Sequence, residues 1–62
     1  MKTVQTQHAV ITLVGGEVVN YNNDITLMID DVEGVQVWQP AFELANYTWS
    51  QLDENVGIMW AP

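Results

Sequence analysis

Side chains able to do acid–base or nucleophilic chemistry are few in this sequence: one imidazole (His8), one amine (Lys2), eight carboxylates and no thiol. Nucleophilic catalysis requires a nucleophile, a base and a group that orients the base. Without cysteine, any such triad must use His8, which stands among Gln5, Thr6 and Gln7 and reads as an ordinary exposed strand residue. Lys2 sits beside the N-terminus, where a chain end stays solvated and an amine is not desolvated. Paired carboxylates can share acid and base roles. The adjacent pair Asp30 and Asp31, however, falls in an expected hairpin turn, where contact with water leaves little means of tuning a pKa. The expectation is a protein without catalytic residues.

The same residues argue against a metal or cofactor. A structural zinc site needs thiolates or several imidazoles, and the chain has neither. Asp30-Asp31-Val32-Glu33-Gly34 lacks the spaced ligands and closing glutamate of a calcium loop. Gly15-Gly16 is too short to cradle a phosphate, and no nucleotide fingerprint follows it.

What remains is surface, and its charge is one-sided. Eight acids against one base give a formal net charge of -7. Nucleic acids are held largely by lysine and arginine on phosphates, and anionic membranes attract basic segments. Direct binding to either is not expected; the complementary partner is a basic protein surface, such as that of a nucleic-acid-binding protein. The acids clustered in sequence, Asp30, Asp31 and Glu33 with Asp53 and Glu54, are the candidate partner-binding set, beside the isolated Glu17, Asp24 and Glu43. Their alternative role is to keep a β-rich protein soluble and to discourage edge-to-edge pairing. Among the aromatic residues, Trp38, Trp60 and Tyr47 are candidates for a partner or oligomer contact, because tryptophan and tyrosine anchor interfaces. Core and interface roles stay open for Trp38 and Trp60, each two residues before a proline; Phe42 and Trp49 are assigned to the core.

These residues must be positioned by short strands. Val4–Val14 is rich in valine, isoleucine and threonine and partly alternating, which reads as a strand. Gly15-Gly16 suggests a two-residue hairpin turn into Glu17-Val18-Val19. Asn20–Asp24 reads as a turn, Ile25–Ile29 as a buried central strand, and Asp30–Gly34 as a second hairpin turn. In Val35–Trp38 the two valines point one way, Gln36 and Trp38 the other, until Pro40 ends the strand. Phe42, Ala45, Trp49 and Leu52 fall at i, i+3, i+7 and i+10, a helical stripe, and Thr48 with Gln51 fits a capping box for a short helix starting at Trp49. Mediocre helix formers at positions 46–49 favour a short helix or helical turn over a long one. Val56–Trp60 is the last strand. Gly34–Pro40 and Val56–Pro62 echo each other in an apolar run ending Trp-x-Pro.

The expected fold is mainly β in a single small acidic domain spanning residues 1–62. It is a small antiparallel sheet or SH3-like open barrel of four to five short strands, with one short helix before the last strand. A chain this short has a thin core, and with no disulfide or metal to reinforce it, self-association or a partner becomes the natural support. The absence of cysteine and of any segment near the roughly 20 apolar residues needed to span a bilayer points to the cytoplasm. Asn46-Tyr47-Thr48, which fits a glycosylation pattern, is then coincidental. Two functions follow. One is a phage- or mobile-element-type inhibitor or modulator that docks on a basic, nucleic-acid-binding host protein with partial DNA mimicry, acting in the host cytoplasm. The other is a homo-oligomeric structural subunit, a homodimer or a small viral particle component.

Overall fold

Branched side chains recur through the first half of the chain and favour extended backbone. The computed structural model, which describes residues Met1–Pro62, is accordingly built of strands: β1 (Lys2–Thr12), β2 (Val18–Asp30), β3 (Gly34–Gln39), β4 (Phe42–Tyr47) and β5 (Ile58–Trp60). One 3-10 turn, Trp49–Gln51, precedes β5. The strands form one open antiparallel sheet in the order β4-β3-β2-β1-β5. The fold is mainly β, with the last strand carried across to the far edge beside β1.

The helix expected before that strand is only the 3-10 turn. Thr48 begins it: its N–H donates to Gln51 Oε1 at 2.8 Å, the reciprocal bond of the expected capping box. Leu52 ends it by returning to extended backbone, φ -96° and ψ 143°, as its side chain enters the core at 5% exposure. Residues 42–47, expected on a helical stripe, are strand β4. The helical spacing comes from a β-bulge. Ala45 pairs with Val37 but Glu43 with Trp38, so Leu44 is an extra residue. The insertion leaves Phe42 and Ala45 on the same face three residues apart, a helical spacing in an extended chain.

Bulging also explains β2. Asn20–Asp24 is not a turn; it lies inside a 13-residue strand. Opposite Gln7 of β1 stand two residues, Asn23 and Asp24, at φ 70° and 51°, a left-handed conformation that Asn and Asp tolerate better than most side chains. Gln7 Nε2 donates to Asp24 Oδ1 at 2.8 Å, fixing the bulge from the other strand. The first hairpin differs as well. Leu13 N–H donates to Glu17 O and Gly16 N–H to Leu13 O, both at 2.8 Å. Only Gly16, at φ 94°, is left-handed. The connection is a three-residue loop with a left-handed glycine, not a two-residue primed turn.

The bulges roll the sheet. Tyr47 of β4 pairs with Val35, and Val35 with Ile29 of β2. Along a straight strand Ile29 lies about 26 Å from Tyr21, yet the Tyr21 and Tyr47 hydroxyls meet at 2.5 Å. The concave face so formed buries Ala9, Ile11, Ile25, Leu27, Val35 and Val37, and Leu52 closes it from the connection before β5. Each larger aliphatic in this set contributes about 1.5–3 kcal/mol through burial. No tryptophan belongs to it. Phe42 and Trp49, expected in the core, are 60% and 38% exposed, because a cavity floored by strands of small branched residues has no room for them.

Gly34 is where the second hairpin is tightest. Its φ is 122°, and an added Cβ would lie 2.0 Å from the Tyr47 carbonyl oxygen. Gly34→Ala is expected to cost at least about 2 kcal/mol, read as a lowered urea midpoint, whereas Gly15→Ala, with open space around it, leaves the midpoint within about 0.5 kcal/mol of wild type.

Candidate functional site

Two of the candidate acids close turns with their carboxylates. Asp30 Oδ2 accepts the N–H groups of Val32 at 2.9 Å and Glu33 at 2.7 Å. Asp53 Oδ1 accepts those of Asn55 and Val56, both at 2.9 Å. These are the side-chain-to-backbone turns that aspartate forms readily. In each case the two donated N–H groups hold the carboxyl below the usual carboxylate range. Asp30 and Asp53 are thus rigidly placed negative charges as well as turn-formers. Asp31, Glu33 and Glu54 are exposed beside them. The lone basic side chain neutralises none of these acids: the Lys2 ammonium lies over the Trp60 ring, 5.2 Å from its centroid.

The candidate aromatics are not brought together. Trp38 is half-buried on the convex face, opposite Thr26 and Glu43, and its Nε1 donates to Gln36 Oε1 at 2.9 Å. Trp60 lies on the β5 edge, 38% exposed and facing Lys2. Tyr47 is half-buried with its hydroxyl on Tyr21; burial first, and then the Tyr47 hydroxyl, push the Tyr21 phenol well above its ordinary range. The echoing Trp-x-Pro endings do converge in one respect: Pro40 and Pro62 line the same shallow groove, beside Gln5–Gln7 and Asp24–Thr26.

A second surface was not legible in the sequence. The segment from Thr48 to Gly57 crosses from β4 to β5 and is stitched to the end of β1: Val14 N–H donates to Gln51 O at 2.9 Å, Asp53 N–H to Thr12 O at 2.9 Å, and Thr12 N–H to Gly57 O at 3.0 Å. Trp49 Nε1 donates to the Asp30 carbonyl at 2.8 Å, tying this crossing to the β2–β3 turn. Between the crossing segment, the end of β1 and the start of β5 lies an open depression lined by Val14, Trp49, Leu52 and Ile58 together with Asp53 and Glu54. Beyond Val14 and Ser50 it continues into a second hollow that includes Glu17 and Tyr47. The capping box places Trp49 first in a short exposed turn, the one sequence signal for its position; nothing local in the sequence brings Val14 to it.

The arrangement offers carboxylate acceptors and apolar contact and is suited to binding. No three His, Asp or Glu side chains converge as a metal-binding group, and no helix is long and apolar enough to cross a membrane. No family model, curated protein or solved structure matches the chain.

The turn-forming carboxylates generate a pH dependence. A folded pKa below the unfolded value contributes stability that is fully present above the unfolded pKa of about 3.9 and is lost as pH falls through the folded value. Asp30→Ala and Asp53→Ala should therefore lower the thermal midpoint at pH 7 and converge on wild type in strong acid. Asp31→Ala and Glu54→Ala, which remove exposed carboxylates that close no turn, should leave the thermal midpoint at pH 7 close to wild type.

Proposed function

We propose that this protein is a non-enzymatic binder that docks on a basic protein surface and blocks or modulates it. The observation that carries this reading is the one-sided charge of its surface. Eight acidic side chains are set against one basic side chain, and the ammonium of that side chain is turned onto Trp60. Two acidic turns, Asp30–Glu33 and Asp53–Glu54, are joined through the Trp49–Asp30 hydrogen bond, so the charges sit on a common rigid frame. Such a frame presents carboxylates to a surface built for phosphates, which is partial nucleic-acid mimicry, and steers encounter with a cationic partner. A nucleic-acid-binding host protein is the natural target, and an inhibitor of phage or mobile-element type acting in the cytoplasm is the matching role.

A second reading, a homo-oligomeric structural subunit, has one observation in its favour. Both edges of the sheet, β4 and β5, are unpaired, and Phe42, Leu44 and Met59 are exposed there at 60%, 42% and 55%.

The two readings separate in one experiment. Tagged protein is used to capture partners from an extract of the source cell or its host at low and high salt, and its own mass is measured by sedimentation. Inhibitor function requires a captured nucleic-acid-binding protein whose retention falls with salt and whose nucleic-acid binding is inhibited by the purified chain. The triple variant Asp31→Lys, Glu33→Lys, Glu54→Lys, which spares the turn-forming Asp30 and Asp53, is expected to weaken that complex at least about tenfold. Unchanged affinity would remove the acidic surface from the explanation. A salt-insensitive multiple of the chain mass, with no other protein retained, would select the oligomer.

A further inference from the structure

We infer that the depression beside Trp49 receives an arginine-bearing apolar segment of the basic partner, the guanidinium stacking on the indole and pairing with the carboxylates of Asp53 and Glu54. This deepens the proposed function and rests on it.

Three observations single out this place. First, the chain contains two tryptophans of equal exposure, and only one has a cation. Trp49 and Trp60 are both 38% exposed, but Lys2 lies over Trp60. Trp49 has no lysine or arginine within the chain to face it, since Lys2 is the only one. Its Nε1 is already satisfied by the Asp30 carbonyl, so the ring is held in one orientation with no unmet polar demand. What it offers a partner is its apolar and π surface.

Second, the surroundings are apolar below and acidic at the rim. Leu52 floors the depression, Val14 lines it at 71% exposure, Ile58 lines it as well, and Asp53 and Glu54 flank them. Single exposed valines are ordinary. Val14 and Ile58 share this depression with a fixed indole, and together they offer a partner apolar contact. Asp53, held ionised by its two backbone donors, supplies a carboxylate that needs no reordering on binding.

Third, the rim offers acceptors and no cationic donor, which selects the occupant. An acidic peptide or a nucleic acid would be repelled. Of the two basic side chains, arginine fits better: its planar guanidinium stacks on an aromatic face while its N–H groups fork onto carboxylates, and it is more weakly hydrated than the lysine ammonium. An apolar neighbour in the same segment would cover Val14.

The test is an NMR titration of the 15N-labelled full chain at low salt with blocked Leu-Arg-Leu-Arg peptide and its lysine counterpart. The three indole N–H resonances serve as reporters. The Trp49 indole and the amides of residues 53–56 should shift saturably while the Trp38 and Trp60 indoles stay in place, and the arginine peptide should bind at least about threefold more tightly than the lysine one. Trp49→Leu should weaken binding about fivefold. Because Trp49 also bonds Asp30, Val14→Ser and Glu54→Gln, both at exposed positions, provide the independent check, each weakening binding about two- to threefold with the spectrum otherwise unchanged. Saturable shifts confined to residues 31–34, with Trp49 unmoved, would overturn the inference and leave the acidic docking function standing. No shifts at any position would overturn both.

Discussion

In the middle of the longest strand pair, Asn23 and Asp24 together face Gln7, and both take positive φ. A straight strand of the length of β2, 13 residues, would reach about 43 Å, but the whole molecule is only 28 Å in its longest dimension. β2 therefore has to bend, and the bulge is where it does. A flat five-stranded sheet with nothing stacked on it leaves both faces wet. Bent, the first half of the β1–β2 pair folds over the second, and Ala9 and Ile11 meet Leu27, Val35 and Val37 in one cluster. The core, the Tyr21–Tyr47 contact and the crossing of residues 48–57 all depend on that bend. Thr6 reinforces it: buried beside the bulge, its hydroxyl donates to the carbonyl of Ala61 and accepts the His8 N–H, fastening the end of the chain to the inside of the curve.

A core this thin has consequences for the surface. It is filled by branched and small aliphatics, and the large aromatic residues are left at the edges, on the convex face and along the crossing segment. Stability that a larger domain would draw from its interior has to come partly from well-made turns. Here aspartates make them, at Asp30 and Asp53. The division among the acids is local: Asp30 and Asp53 each commit one carboxylate oxygen to two backbone N–H groups and keep the other exposed, whereas Asp31, Glu33 and Glu54 next to them close no turn. Because all of these carboxylates stay in water, the charges carry no large desolvation penalty.

How much of this could be read from the residues depended on parity. Where the chain keeps the period of two, as in Val35–Trp38, strand and facing were legible, and so was the division of Val35 and Val37 from Gln36 and Trp38. Where a bulge inserts a residue, the period fails. Leu44 turned β4 into an apparent helical stripe, and Asn23-Asp24 made a continuous strand look like two strands and a turn. Thr48 and Gln51 gave the position of the 3-10 turn but not its length, which is set by the pull of Leu52 into the core. The acidic clusters were legible as clusters. The fixing of Asp30 and Asp53 by backbone donors became visible only with the turn geometry, and the sharing of one depression by Val14 and Trp49, 35 residues apart in sequence, only with the crossing connection.

The same electrostatics bear on the choice between a partner of a different kind and further copies of this chain. Bringing two bodies of charge -7 together adds like-charge repulsion that only a large apolar interface can offset, whereas a cationic surface relieves the repulsion already present within the monomer. The free edges do not supply such an interface readily. β5 is only 3 residues long, and β4 carries both Glu43 and the bulge at Leu44, the two devices by which exposed strands are kept from pairing edge to edge. Phe42 and Leu44 are exposed on that edge, but the irregular backbone beneath them presents no even ladder of N–H and C=O groups to a second copy. The depression at Trp49 has neither obstacle: the crossing segment is hydrogen-bonded to the end of β1, the indole is fixed on the Asp30 carbonyl, and Asp53 and Glu54 line it with negative charge. These constraints on the sheet edges are why the proposed function places a cationic surface, rather than a second copy of the chain, against this protein.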